Sequence, residues 1–239
     1  LRNEETKIRF KDFNNFHCFT FHNFINKIIK DIIKKEIPKE LSDKINSLKG
    51  FMPLHEGEAL AKWAEKFSKV GPILEIGTFG GKSAAFLAYG SRKNNQIVYT
   101  IDHHRGSEEH QLGEEYFDQE NFDEALNRVN TVPLLQKNLE KVKEITNIIP
   151  IIGDANTISQ SWQTRLGMLF IDGSHTFESA NNDYENWKHL IEKHGALAFH
   201  DIYEDPSKGG QAPYKVFQKA IDDGFKIFER VDTAVCLTY

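Results

Sequence analysis

The stretch Pro72-Ile73-Leu74-Glu75-Ile76-Gly77-Thr78-Phe79-Gly80-Gly81-Lys82-Ser83 constrains this chain more than any other. Its apolar opening suits a buried strand of a parallel sheet. Gly77, Gly80 and Gly81 then make a turn, and Ala84-Ala85-Phe86-Leu87-Ala88-Tyr89 continues as a helix. Strand, glycine turn and helix N-terminus, in that order, build a nucleotide site in an α/β fold. Glycines let the backbone approach a ligand, and a helix start offers free N–H groups. Glu75, at the strand end, refines the reading: a carboxylate there repels a pyrophosphate and favours a cationic or amine-bearing ligand.

The remaining chain supplies the other strands of such a sheet. Gln96–Ile101 reads as a second strand ending in Asp102, where a carboxylate can accept hydrogen bonds from both hydroxyls of a ribose. Adjacent histidines, His103 and His104, follow at the rim where open α/β sheets bind ligands. Residues 105–130 are polar and acid-rich, and their length suits a lid. A helix from Pro133 leads to a third strand, Ile148–Ile152, closed by Gly153-Asp154-Ala155, with a further helix expected at 156–162. A fourth strand, Leu166–Ile171, ends in Asp172-Gly173-Ser174-His175, and a helix from Phe177 through Leu190 and Ile191 leads to a fifth, Ala196–Phe199, ending in His200-Asp201. Two neighbouring strand ends thus bring four titratable side chains to one rim. Phe225–Glu229 and Ala234–Tyr239 read as a final hairpin with no helix between them, which a dinucleotide-binding sheet would lack.

With 239 residues, the length suits one α/β domain at 51–239 and a helical extension at 1–50. The extension carries Ile25, Ile28, Ile29, Ile32 and Ile33 at helical spacing up to Pro38, an apolar face that packs on the domain or pairs with a second copy. Net charge is −5, with both signs mixed along the chain and no basic stripe, so nucleic acid is not an expected partner. Cys18 and Cys236 lie far apart, no apolar run reaches membrane-spanning length, and no secretory pattern opens the chain. A cytoplasmic protein that does not engage a membrane is the expectation.

Glu75-x-Gly77-x-x-Gly80-Gly81, with Asp102 and Asp154 following in order, resembles the class I S-adenosylmethionine-dependent methyltransferases. The resemblance covers residues 51–239. It implies a Rossmann-like, mostly parallel sheet with helices on both faces and an antiparallel C-terminal hairpin. The implied cofactor contacts are Glu75, Gly77, Thr78, Gly81 and Ser83 around the methionine part, Asp102 and His103 near the ribose, and Asp154 and Ala155 near the adenine. Asp172 adjoins them, and the segment Leu54–Glu58 is expected to pass over the cofactor. Asp172, His200 and Asp201, the first two 28 positions apart, resemble the metal-ligand pattern of the catechol and macrolide-sugar O-methyltransferases. His200 departs from that pattern, since an oxygen ligand is expected there. Magnesium prefers oxygen, so a ligating imidazole implies a transition metal.

The resemblance therefore implies methyl transfer from S-adenosylmethionine to a small molecule, with a hydroxyl as acceptor and a divalent cation lowering its pKa. His175 and His104 are the candidate bases, with Asp172 in the same catalytic group. Other chemistries on the same residues remain open: a metal-dependent hydrolase or oxygenase using Asp172, His175, His200 and Asp201, an NAD(P)-dependent oxidoreductase, or a non-catalytic interaction protein.

Overall fold

A computed structural model describes residues 37–107, 117–173 and 176–239. The chain divides into two compact units, Leu1–Lys39 and Glu40–Tyr239. The amphipathic helix expected before Pro38, and any oligomer contact through it, lie outside the described residues, as do His175 and the centre of the expected lid.

In the second unit, helices α1 (Lys39–Asn46) and α2 (Leu54–Phe67) precede β1 (Ile73–Ile76), and α3 (Lys82–Ser91) follows it. Next come β2 (Val98–Asp102) and a two-stranded ribbon of β3 (Phe122–Asp123) and β4 (Arg128–Val129). After them come α4 (Val132–Lys141), β5 (Ile148–Ile152), α5 (Ala155–Ser159) and β6 (Leu166–Ile171). The chain ends with α6 (Phe177–Trp187), β7 (Ile191–Phe199), α7 (Ala212–Asp222), β8 (Lys226–Val231) and β9 (Ala234–Thr238). The main sheet has seven strands in the order β5-β2-β1-β6-β7-β9-β8. The first five are parallel, and β9 runs antiparallel to both β7 and β8. This is the sheet the sequence implies.

Composition follows position. β1 and β6 are central and buried at every residue, as apolar parallel strands should be. β5 and β8 are the edges. Pro150 sits in β5, where a missing N–H costs least, and β8 carries Lys226, Glu229 and Arg230 on an exposed strand. Trp63, Phe86, Phe170, Tyr184, Trp187 and Phe199 are fully buried between sheet and helices. Gly57 lets α2 press on α3, because a Cβ there would meet the Phe86 ring at 2.3 Å.

Strand register makes the functional rim. Ile76 pairs with Ile101 and with Ile171, Asp102 pairs with Ile152, and Ile171 pairs with Phe199. The residues just past those pairs therefore emerge together at one end of the sheet. Strand order reverses between β1 and β6, which opens the crevice where such sheets take ligands.

Two local expectations differ. β7 begins at Ile191, which the helical spacing had assigned with Leu190 to the preceding helix; these residues instead close a 3-10 turn and enter the sheet beside Leu166. The expected helix at 156–162 is the five-residue α5, capped by Asp154. Among the described residues no helix is long and apolar enough to cross a membrane.

Candidate active site

Gly77 leaves β1 at φ +98°, and a Cβ on it would stand 2.0 Å from the carbonyl oxygen of Asp172. Only glycine lets the two strand ends approach this closely. Beneath the turn, Glu75 is fully buried. Thr100 donates to its Oε2, and Thr78 and Thr100 share a further hydroxyl contact. Its Oε1 is buried without a hydrogen-bond partner among the described residues. Burial pushes the Glu75 carboxyl up to about 8, against the stabilising hydrogen bonds of Ser83 and Thr100, and the charges of Asp172 and Asp102 add to the rise. An acid in this state lacks a cationic partner.

Asp102 organises the turn from the next strand. Its Oδ2 accepts the N–H groups of Thr78 (3.1 Å) and Phe79 (2.8 Å), and its Oδ1 accepts that of His104 (2.6 Å). A carboxylate has about four acceptor positions, so one remains for a ligand hydroxyl. Asp154 caps α5, with Oδ1 accepting from the backbone N–H and the hydroxyl of Thr157, each at 2.7 Å. Its other oxygen is free of that duty. Both acids line a cavity of about 1170 Å³ that runs along the rim, with Gly77, Thr78, Ser83, His103, Ala155 and Asp172. The volume slightly exceeds the usual range for a small-molecule site and suits two ligands side by side.

At the far end of the cavity the tips of β6 and β7 meet. His200 is almost fully buried, with Nδ1 3.2 Å from Asp172 Oδ1 and 3.5 Å from Asp201 Oδ2. Asp201 takes φ +58°, a left-handed conformation that acids tolerate and that clusters at functional sites. The other ring nitrogen, Nε2, lies 2.9 Å from Glu56 Oε2, delivered by the first turn of α2. Glu56 is itself fully buried, and its Oε1 accepts from Thr233 N (2.7 Å), Thr233 Oγ1 (2.8 Å) and Ala234 N (3.0 Å) in the β8–β9 turn. Burial opposes a charged imidazole, but the Asp172 charge and the bonds from Asp172, Asp201 and Glu56 outweigh it and hold His200 far above its usual range. Burial likewise raises Glu56, and the bond and charge of His200 more than reverse it, leaving Glu56 below the usual carboxylate range. Three carboxylates around one imidazole leave a net negative centre.

The structure brings together Asp172, His200 and Asp201, whose donor atoms lie within 4.8 Å of one another. It places Glu75 and Gly81 beneath or beside the cavity wall rather than on it, while Thr78, Ser83, His103 and Ala155 line it. It does not bring His104 to the site. That ring is buried against Thr131 Oγ1 at 2.7 Å, at a backbone φ of +58°, and its Nε2 faces no partner among the described residues. Burial lowers its pKa. His104 therefore closes the turn after β2 and does not line the cavity.

Asp183 escaped sequence reasoning, and Glu56 was reached only as part of the segment Leu54–Glu58, without its own role. Glu56 reads locally as a first-turn acid that complements a helix dipole. Asp183 lies one turn from the end of α6, on the buried face it shares with Ala180, Tyr184 and Trp187; it is buried, lines the cavity and is pushed up to about 7 by burial and the Asp154 charge. A charged residue among the apolar positions of α6, near Tyr184 and Trp187, was the available signal.

Comparison with known proteins agrees with this geometry. The chain matches the family described as "Methyltransferase domain" over residues 74–202. Among solved structures it is similar to the SAH-bound methyltransferase PaMTH1 of Podospora anserina (13% identity, 91% of this chain and 95% of that chain, TM-score 0.57). It is also similar to the O-methyltransferase NovP (14% identity, 77% and 79% covered, TM-score 0.58). A third is a putative caffeoyl-CoA O-methyltransferase from Staphylococcus aureus (14% identity, 95% and 100% covered, TM-score 0.54). At these identities the likeness is one of fold, and the family match covers more than half of the chain. The seven-strand sheet, the glycine turn over Glu75 and that match together establish that this chain belongs to the methyltransferase domain family, as a class I S-adenosylmethionine-dependent methyltransferase.

Proposed function

We propose that this enzyme methylates a hydroxyl group on a small molecule, with Asp172, His200 and Asp201 holding a divalent cation beside the cofactor. The observation that carries the reading is the convergence of these three side chains at one end of the cavity whose other end is lined by Asp102 and Asp154. Separations of 3.2 and 3.5 Å from His200 Nδ1 to its two carboxylate neighbours suit donors sharing one ion. Ligands about 2.1 Å from a metal stand roughly 3.0–3.4 Å apart in octahedral or tetrahedral geometry. The net negative charge of the cluster also suits a cation. One nitrogen in the donor set favours manganese, iron, cobalt, nickel or zinc over magnesium.

The cofactor side fits as well. The unpartnered Glu75 Oε1 and the glycine turn suit the cationic methionine part, Asp102 retains an acceptor for the ribose, and Asp154 Oδ2 suits an amine of the adenine. When bound, S-adenosylmethionine supplies an activated methyl group and the cation acidifies the acceptor hydroxyl. The chain's own groups do the rest. The rigid strand tips set the acceptor's position, and the carboxylates of Asp172 and Asp201 are the groups within the cluster that can take up its proton. Asp102, Asp154, Asp172, Asp183 and Asp201 along the wall disfavour a polyanionic acceptor, so a nucleic acid does not fit.

Incubation with methyl-labelled S-adenosylmethionine and a panel of phenols, sugars and hydroxy acids tests the reading. Label transfer should vanish on chelation and return with manganese, cobalt or zinc. Full activity after complete removal of divalent ions rejects the cation, and transfer to amines or thiols alone rejects the hydroxyl.

A further inference from the structure

Glu56 is the only described acid that joins α2, the tip of β7 and the β8–β9 turn, and it reaches His200 across 144 residues of sequence. Its two oxygens have separate duties. Oε1 is filled by three donors from Thr233 and Ala234. Oε2 faces the ring nitrogen Nε2 of His200 at 2.9 Å. An ionised carboxylate only accepts, so the hydrogen of that contact belongs to His200 Nε2.

We propose that Glu56 is a positioning residue of the active site: it keeps a hydrogen on His200 Nε2, locks the ring's rotation, and so turns Nδ1 toward Asp172 and Asp201. A histidine serving an ion or a substrate through one nitrogen is commonly held at the other by a carboxylate, which fixes both tautomer and orientation. Here the carboxylate is anchored by backbone N–H groups of a hairpin turn, so the ring cannot swing without disturbing β8 and β9. The helix that brings Glu56 to the cavity wall therefore also carries the group that aims the histidine. The proposal deepens the functional reading above and rests on it for the claim that His200 serves the reaction.

Glu56→Gln tests it sharply. The Thr233 and Ala234 donors hold the amide oxygen, so the amide NH2 must face His200. Nε2 then becomes an acceptor, so the charged ring gives up its Nε2 hydrogen and keeps the one on Nδ1. The readout is 15N NMR of histidine-labelled enzyme without cofactor or acceptor, with the His200 signals identified by their loss in His200→Gln. The wild type should show a hydrogen-bearing Nε2, and Glu56→Gln a bare Nε2 with the hydrogen on Nδ1. Thr233→Val, which removes only a hydroxyl donor, should leave the ring as in the wild type. In turnover, Glu56→Gln should lower kcat on the order of 10–100-fold, with the cofactor KM nearly unchanged. A bare Nε2 in the wild type overturns the proposal, as does an unaltered ring pattern or an unaltered kcat in Glu56→Gln. Absence of methyl transfer in the wild type counts instead against the functional reading, because the ring measurement stands without turnover.

Discussion

Replacing Glu75 by Gln should change how the ligand-free enzyme responds to pH, and the size of the effect follows from the buried carboxyl. The folded protein holds this acid at about 8, against an ordinary value of 4.5. Between those values the folded state keeps a proton that the unfolded chain has lost. A raised folded value means that the stability is intact below the unfolded pKa and is lost as pH rises through the folded one. From pH 5.5 to 8 that is roughly 2.5 units, or about 3 kcal/mol at 1.36 kcal/mol per unit. Gln is neutral throughout and suffers no such loss. For a domain of this size about 3 kcal/mol corresponds to roughly 6–12 °C in Tm. Thermal unfolding of wild type and Glu75→Gln from pH 5.5 to 8.5 should show the variant gaining on the wild type by that margin. The cofactor adds a second readout. A cationic ligand beside Glu75 favours its ionised form, so binding of S-adenosylmethionine at pH 6.5–7 should release close to one proton from the wild type and none from Glu75→Gln. Calorimetry in buffers of different ionisation heat measures that number. Parallel Tm curves and equal proton release in the two proteins would refute the account of Glu75 as an acid kept neutral until its cationic partner arrives.

Other substitutions probe the remaining walls of the site. Gly77→Ala puts a methyl group 2.0 Å from the Asp172 carbonyl oxygen and should cost more than about 3 kcal/mol while abolishing cofactor binding; denaturant unfolding and calorimetry check both. Asp183→Asn should gain on the wild type by about 2–3 kcal/mol between pH 5 and pH 8, because the wild-type acid, held at about 7 against 3.8 unfolded, loses stability over that range; Tm against pH reads the difference. His200→Asn exchanges a nitrogen donor for an amide oxygen, so ion preference should move toward magnesium, as measured by competition with cobalt.

What was legible in the sequence is what sits close in sequence to its own strand end. Glu75, Asp102, Asp154, Asp172, His200 and Asp201 each lie within two residues of the last residue of a parallel strand, and a parallel sheet in register delivers such residues to one end. Strand identity and order therefore sufficed to collect them. Glu56 was not legible as a partner of His200, because its role depends on the packing angle of α2, which is set by the close approach of Gly57 to Phe86 and by the turn at Thr233. His104 misled for the converse reason. It occupies a rim position, but a left-handed backbone turns its ring inward to Thr131, and backbone handedness at a non-glycine residue leaves no mark in composition.

The charge of the rim ties the two halves of the cavity into one physical scheme. Glu56, Asp102, Asp154, Asp172, Asp183 and Asp201 line one cavity with Glu75 buried beneath its wall, and among them stand His200 and Lys82, the latter with its pKa lowered by burial. Such a concentration cannot be fully ionised without counter-charge, and the enzyme accommodates the excess in two ways. Glu75 and Asp183 keep their protons to near neutral pH, and His200 holds a charge between Glu56, Asp172 and Asp201. In the proposed function both devices stand where cations would bind. A sulfonium and ammonium at one end, and a divalent ion at the other, would displace protons from the same places. Binding of the two ligands should therefore be mutually favourable, each lowering the electrostatic cost that the other meets. Titrating the cofactor with and without saturating cobalt measures this coupling: the dissociation constants should differ several-fold in the cooperative direction. Antagonism between the two ligands would mean that like-charge repulsion between them exceeds the relief each brings to the acids, and the scheme would fail.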